Sequence, residues 1–152
     1  METQETQEID EQQPEEHGVA IYSKLAILLF SIIFDPIIGG VLLMLNLRSI
    51  GYKKEGTKVL LFSIAYYFVS GFLISYIANV LRIPLTMDTL LKNPNPKIIV
   101  SLIVLKIIGG GILAEYFFKK YFPHDDYEHK SIWKALLITI LVLIPLSMLI
   151  KL

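Results

Sequence analysis

Cysteine is absent from all 152 residues. That excludes disulfides, thiolate metal sites, lipid attachment through a cysteine and a cysteine nucleophile. Basic residues are missing from the first 23 positions, which carry seven acids (Glu2, Glu5, Glu8, Asp10, Glu11, Glu15, Glu16). A cleavable secretory signal opens with basic residues before a short apolar core, so this start is read as a tail ahead of a retained anchor. Residues 1–20, rich in Glu and Gln with almost nothing to bury, are expected to be disordered. The phosphate-cradling Gly-rich loop, the Gly-x-Ser-x-Gly elbow and the His-Glu-x-x-His helix are missing too. No cofactor, no nucleic-acid partner and no catalytic set are therefore expected, which makes a lipid-modifying enzyme the weakest functional reading.

What the chain does have is apolar sequence in blocks, 54% of it hydrophobic. Four runs approach or exceed the roughly 20 residues an α-helix needs to cross about 30 Å of hydrocarbon. Backbone groups in lipid must pair within their own segment, so each run should be a helix. The expected fold is all-α: a disordered acidic tail over 1–20 and a four-helix transmembrane bundle over 21–152, with spans at 24–47, 58–81, 98–118 and 132–151. Aromatic residues near the predicted ends, among them Tyr22, Tyr52, Tyr121 and Trp133, match the headgroup level.

Four crossings put Arg48, Lys53, Lys54, Lys58, Lys119, Lys120, Lys130 and Lys134, eight basic residues, on one side, and Lys24, Arg82, Lys92, Lys97 and Lys151, five, on the other. By the positive-inside rule both termini then face outward. An internal echo is also present. Ile37-Ile38-Gly39-Gly40 recurs as Ile107-Ile108-Gly109-Gly110, and the run from Lys58 to Ile64 resembles that from Lys134 to Ile140. A genuine duplication would make the bundle two repeated helical hairpins.

The stretch Phe34-Asp35-Pro36-Ile37-Ile38-Gly39-Gly40 places a carboxylate, a helix breaker and two glycines inside the first run. Asp35 lies about ten residues into that span and Lys106 about eight into the third, depths that differ by roughly 3 Å. A lone ionised residue at the bilayer centre costs about 2.5 to 3.5 kcal/mol, so the two are expected to pair. Asp35, Gly39 and Asn46 share one helical stripe, Lys106 and Gly110 another, and Gly71, Ser75 and Asn79 a ridge at spacing four. Pro36 should kink or break the first helix, and Asp before Pro is a favoured helix start.

Two readings follow. In the structural one, Asp35 caps the second half of a broken helix and pairs with Lys106, while Pro36, Gly39, Gly40, Gly71 and Gly110 serve the break and close packing. In the functional one, Asp35, Lys106, Asn46 and Asn79 form a mid-membrane site for a small ion- or proton-coupled transporter. The third loop offers His124, Asp125, Asp126, Glu128 and His129, but the spacing matches no metal signature and a solvated loop is the better reading.

The segment Gly39-Gly40-Val41-Leu42-Leu43-Met44-Leu45-Asn46-Leu47-Arg48-Ser49-Ile50-Gly51 resembles a pattern in small bacterial multi-pass membrane proteins: paired small residues, an apolar stretch, then Asn-x-Arg near Gly. The resemblance implies a bacterial inner-membrane protein and carries no activity. The first expectation is a structural or accessory membrane subunit, self-associating or part of a larger complex. The alternative is the transporter.

Overall fold

A computed structural model describes residues 19–86, 95–123, 127–137, 139 and 140. Residues 1–18 of the acidic tail, the triplet 124–126, Lys92 and most of the fourth expected span lie outside these residues. Among the described residues the fold is all-helical apart from one isolated bridge. Its helices are α1 (Lys24–Ile33), α2 (Pro36–Ser49), α3 (Lys53–Val80) and α4 (Pro96–Gly111). A π-helical segment, Ile112–Phe118, and an α turn, Lys119–Tyr121, continue α4, and a further helix covers 132–137.

Among the described residues two helices are long and apolar enough to cross a bilayer, Lys53–Val80 with 28 residues and Pro96–Tyr121 with 26. The expected first span is corrected: it is two short helices folded back on each other. Ser23 caps α1, its hydroxyl accepting from the Ala26 amide at 3.1 Å. The helix stops at Phe34 because Pro36 lacks an N–H and drives the residue before it out of the helical region. Asp35 is accordingly extended, at φ −168° and ψ 152°, and becomes the N-cap of α2 with Pro36 as its first residue.

The reversal is fixed by contacts far apart in sequence. The Asn46 side chain accepts from the Tyr22 amide and donates to the Tyr22 carbonyl, both at 2.8 Å. A Cβ on Gly39 would meet the Ser31 side chain and the Ile27 carbonyl. Residues 22 and 46, and 27 and 39, can be neighbours only if α1 and α2 run antiparallel about a tip at Phe34 and Asp35. With 10 and 14 residues, the limbs span about 15 and about 21 Å, each short of the hydrocarbon thickness.

The open end of this hairpin gathers the other connections. Gly51, at φ +90°, ends α2 with the Tyr52 amide donating to Leu47 at 2.8 Å and the Gly51 amide to Arg48 at 3.1 Å, a Schellman cap that demands the left-handed region. Ile21 donates to the Glu128 carbonyl at 2.9 Å and accepts from the Lys130 amide at 2.8 Å. The Tyr121 hydroxyl donates to Glu55 at 2.9 Å. Most of the core lies in this half, where Ile21, Ile27, Phe30, Leu43, Leu47, Val59, Leu113 and Phe118 are buried together. Beyond the tip the core shrinks to Ile74, Ala78 and Ile98.

The hairpin also alters the repeat. Its first member, α2, has 14 residues and is matched with a helix of 26, so the paired glycines are shared while the lengths are not.

Candidate functional site

Glycines decide how deeply the hairpin sits. A Cβ on Gly40 would strike Ser63 of α3, one on Gly110 would press on Ser31 and Leu28 of α1, and one on Gly109 would collide with Tyr66 and Pro36. Small residues at these positions let helix backbones approach where lipid would supply no hydrophobic drive. The facing hydroxyls are satisfied within their own helices, Ser31 donating to Ile27 at 2.7 Å and Ser63 to Val59 at 3.0 Å.

This packing sets the tip against the middle of both long helices. Tyr66 is the fourteenth of the 28 residues of α3, and Lys106 the eleventh of the 26 from Pro96 to Tyr121. The Lys106 ammonium donates to the Phe34 carbonyl at 2.6 Å, and Asp35 Oδ1 accepts from the Ile37 amide at 3.0 Å. The Tyr66 hydroxyl donates to the Leu105 carbonyl at 2.7 Å. The carbonyl end of α1 thus meets a cation and the amide end of α2 a carboxylate, the favourable sign at each helix terminus.

Asp35 and Lys106 are therefore neighbours at the same level, but their principal bonds go to the hairpin backbone. No ion pair between them occurs among the described residues. The expected direct pair is replaced because the reversal creates an unpaired carbonyl at Phe34, which a kinked continuous helix would have oriented elsewhere. Both side chains border a cavity of about 180 Å³ that continues past the tip between Tyr66, Ser70, Gly71 and Leu105.

The other expected site residues are placed differently. Asn46 is buried at the open end of the hairpin and fully engaged by Tyr22, eleven residues and about 16 Å along α2 from the tip. Asn79 is exposed near the far end of α3, about 20 Å from Tyr66. Neither reaches the cavity. Gly71 borders it, yet nothing lies within 4 Å of a Cβ added there, so it serves no close contact among the described residues. Pro36, Gly39, Gly40 and Gly110 all lie at or beside the tip.

Tyr66 is not among the expected site residues, and Gly109, present in the sequence echo, is not expected to be a packing contact of the tip. A phenol half-way along an apolar run, far from either headgroup level, was the available signal for Tyr66. Among the described residues no group of three or more His, Asp or Glu is placed to hold a metal. No protein-family model, no curated protein and no solved structure matches the chain.

Proposed function

We propose that the chain is a multi-pass integral membrane protein of structural or interaction type, in which α3 and the Pro96–Tyr121 helix cross the bilayer and the α1–α2 hairpin is re-entrant. The observation that carries this is the use of both mid-depth charges on the hairpin's own backbone: Lys106 holds the Phe34 carbonyl and Asp35 caps α2. Non-helical backbone at membrane depth is tolerated where it is buried in protein or lines a water-filled cavity; here the tip is half-buried between the two long helices, and Asp35 and Pro36 border the cavity. Exposed apolar side chains such as Phe68, Phe72, Ile103 and Ile107 on the two long helices support a lipid-facing belt, as does the resemblance to small bacterial inner-membrane proteins.

The hairpin leaves the basic-rich side where the sequence puts it but brings the N-terminal end to that same side. Lys24 now joins Arg48, Lys53, Lys54, Lys58, Lys119, Lys120, Lys130 and Lys134 at one end, nine basic residues against Arg82 and Lys97 at the other among the described residues. The open end of the hairpin, with residue 19, is then cytoplasmic. The cysteine-free chain allows a direct test with Val19→Cys, Lys54→Cys and Lys97→Cys and an impermeant maleimide on intact cells. Only Lys97→Cys should label. Labelling of Val19→Cys but not Lys54→Cys would restore a crossing first helix.

A second reading, small-cation or proton-coupled transport, is favoured by the cavity that Asp35 and Lys106 share. Proteoliposomes separate the two. The structural role predicts no pH-dependent flux from the parent protein, whereas a flux abolished by Asp35→Asn in a folded variant would establish transport in its place.

A further inference from the structure

We propose that the turn between α2 and α3 is a seat for the anionic phosphodiester headgroup of a membrane lipid. The proposal rests on the embedding argued above, which puts this turn at the headgroup level of the cytoplasmic leaflet. Most cations at this end of the molecule are already engaged. Lys24 and Lys119 share Glu115, and Lys58 holds Glu55 at 2.8 Å. Lys120 and Lys130 lie over the rings of Tyr121 and Tyr22, each 5.5 Å from the centroid.

Arg48, Lys53 and Lys54 differ. They are exposed, contiguous across the turn, and without an ion-pair partner among the described residues. Glu55, the acid nearest them in sequence, is held by Lys58 and by the Tyr121 hydroxyl, so it does not offset their charge. The turn is rigid: the Schellman cap at Gly51 fixes its backbone, and Met44 and Arg48 side-chain atoms pack where Gly56 lacks a Cβ. Tyr52 stands beside it, half exposed, its ring 6.1 Å from that of Tyr121, the aromatic setting expected at an interface. Three uncompensated cations on a fixed frame at headgroup depth complement a lipid phosphate, and each basic residue near such a surface strengthens binding roughly fivefold.

The test is native mass spectrometry of the full chain in neutral detergent, titrated with phosphatidylglycerol or phosphatidylcholine. The parent protein should retain phosphatidylglycerol at least about tenfold better, and R48Q/K53Q/K54Q should lose roughly fivefold per charge removed. The variant R82Q/K97Q at the far end should keep the preference, as should the charge-preserving K53R/K54R. Equal binding of the two lipids, selectivity that survives the triple change, an equal loss in R82Q/K97Q, or displacement of the lipid by millimolar inorganic phosphate would overturn the proposal. Alkaline carbonate extraction reads the embedding separately: a protein that stays in the pellet but shows no lipid preference defeats the headgroup seat alone.

Discussion

Asn46 and Tyr22 exchange two hydrogen bonds of 2.8 Å across the open end of the α1–α2 hairpin, a side-chain amide standing in for the backbone of a neighbouring strand. The pair is buried, so the Tyr22 amide and carbonyl have no water to replace it. Asn46→Leu should leave both backbone groups unpaired and lower stability by about 2 to 4 kcal/mol. Asn46→Gln, one methylene longer, should recover little of that, and Asn46→Asp should lose the bond donated to the Tyr22 carbonyl. Thermal unfolding in detergent measures all three. Parent-like melting of Asn46→Leu would mean that the hairpin closes without this clasp.

The tip yields a prediction that separates capping from ion pairing. Serine caps helices as well as aspartate does but carries no charge. Asp35→Ser should therefore keep most of the parent stability, whereas Asp35→Ala should lose about 1 kcal/mol. Lys106→Met should cost about 1 to 3 kcal/mol because it leaves the Phe34 carbonyl without its donor. If Asp35→Ser were as damaging as Lys106→Met, the two charges would be acting chiefly on each other. Chemical denaturation of the purified variants, including Asp35→Ser with Lys106→Met, reads the coupling.

The helical class and the two long helices were legible in hydropathy, because an uninterrupted apolar run of sufficient length has few other solutions. Expected spans at 58–81 and 98–118 correspond to helices at Lys53–Val80 and Pro96–Tyr121. The first run was not legible in the same way: a mostly apolar stretch over 24–47 looks alike whether it crosses or folds back. Asp35-Pro36 announced a break and the correct cap. Kink and reversal differ only in whether Gly39 meets Ile27 and Asn46 meets Tyr22, contacts that no local pattern encodes. The common depth of Asp35 and Lys106 was readable by counting residues, while the atom that Lys106 bonds was not, since the reversal itself produces that carbonyl.

Glycine substitutions test the packing of the tip. Gly109→Ala would drive a methyl group into the Tyr66 ring and Pro36, neither of which can swing away freely. It should destabilise by about 1 to 3 kcal/mol, the usual range for overpacking. Gly71→Ala and Gly111→Ala meet nothing within 4 Å and replace a poor helix former, so they should be neutral or raise stability by up to about 1 kcal/mol. Comparable losses at all three positions would show that helix association depends on glycine in general and not on the contact at Gly109.

The far end of α3 carries the one non-glycine residue with positive φ among those described, Arg82 at 55°. It occupies the place that Gly51 takes after α2. The Ile83 amide donates to Ala78 at 2.9 Å and the Arg82 amide to Asn79 at 3.1 Å, the same Schellman pattern closed by a residue whose Cβ is strained there by about 1 to 2 kcal/mol. Arg82→Gly removes that strain but loosens the unfolded chain, a partial offset, so the melting temperature should rise modestly. Arg82→Asn, which tolerates the left-handed region, should fall between the two, and Arg82→Val should be the least stable of the series because a β-branched side chain fits that region worst. An order with valine above glycine would mean that the turn relaxes out of its left-handed geometry at no energetic penalty.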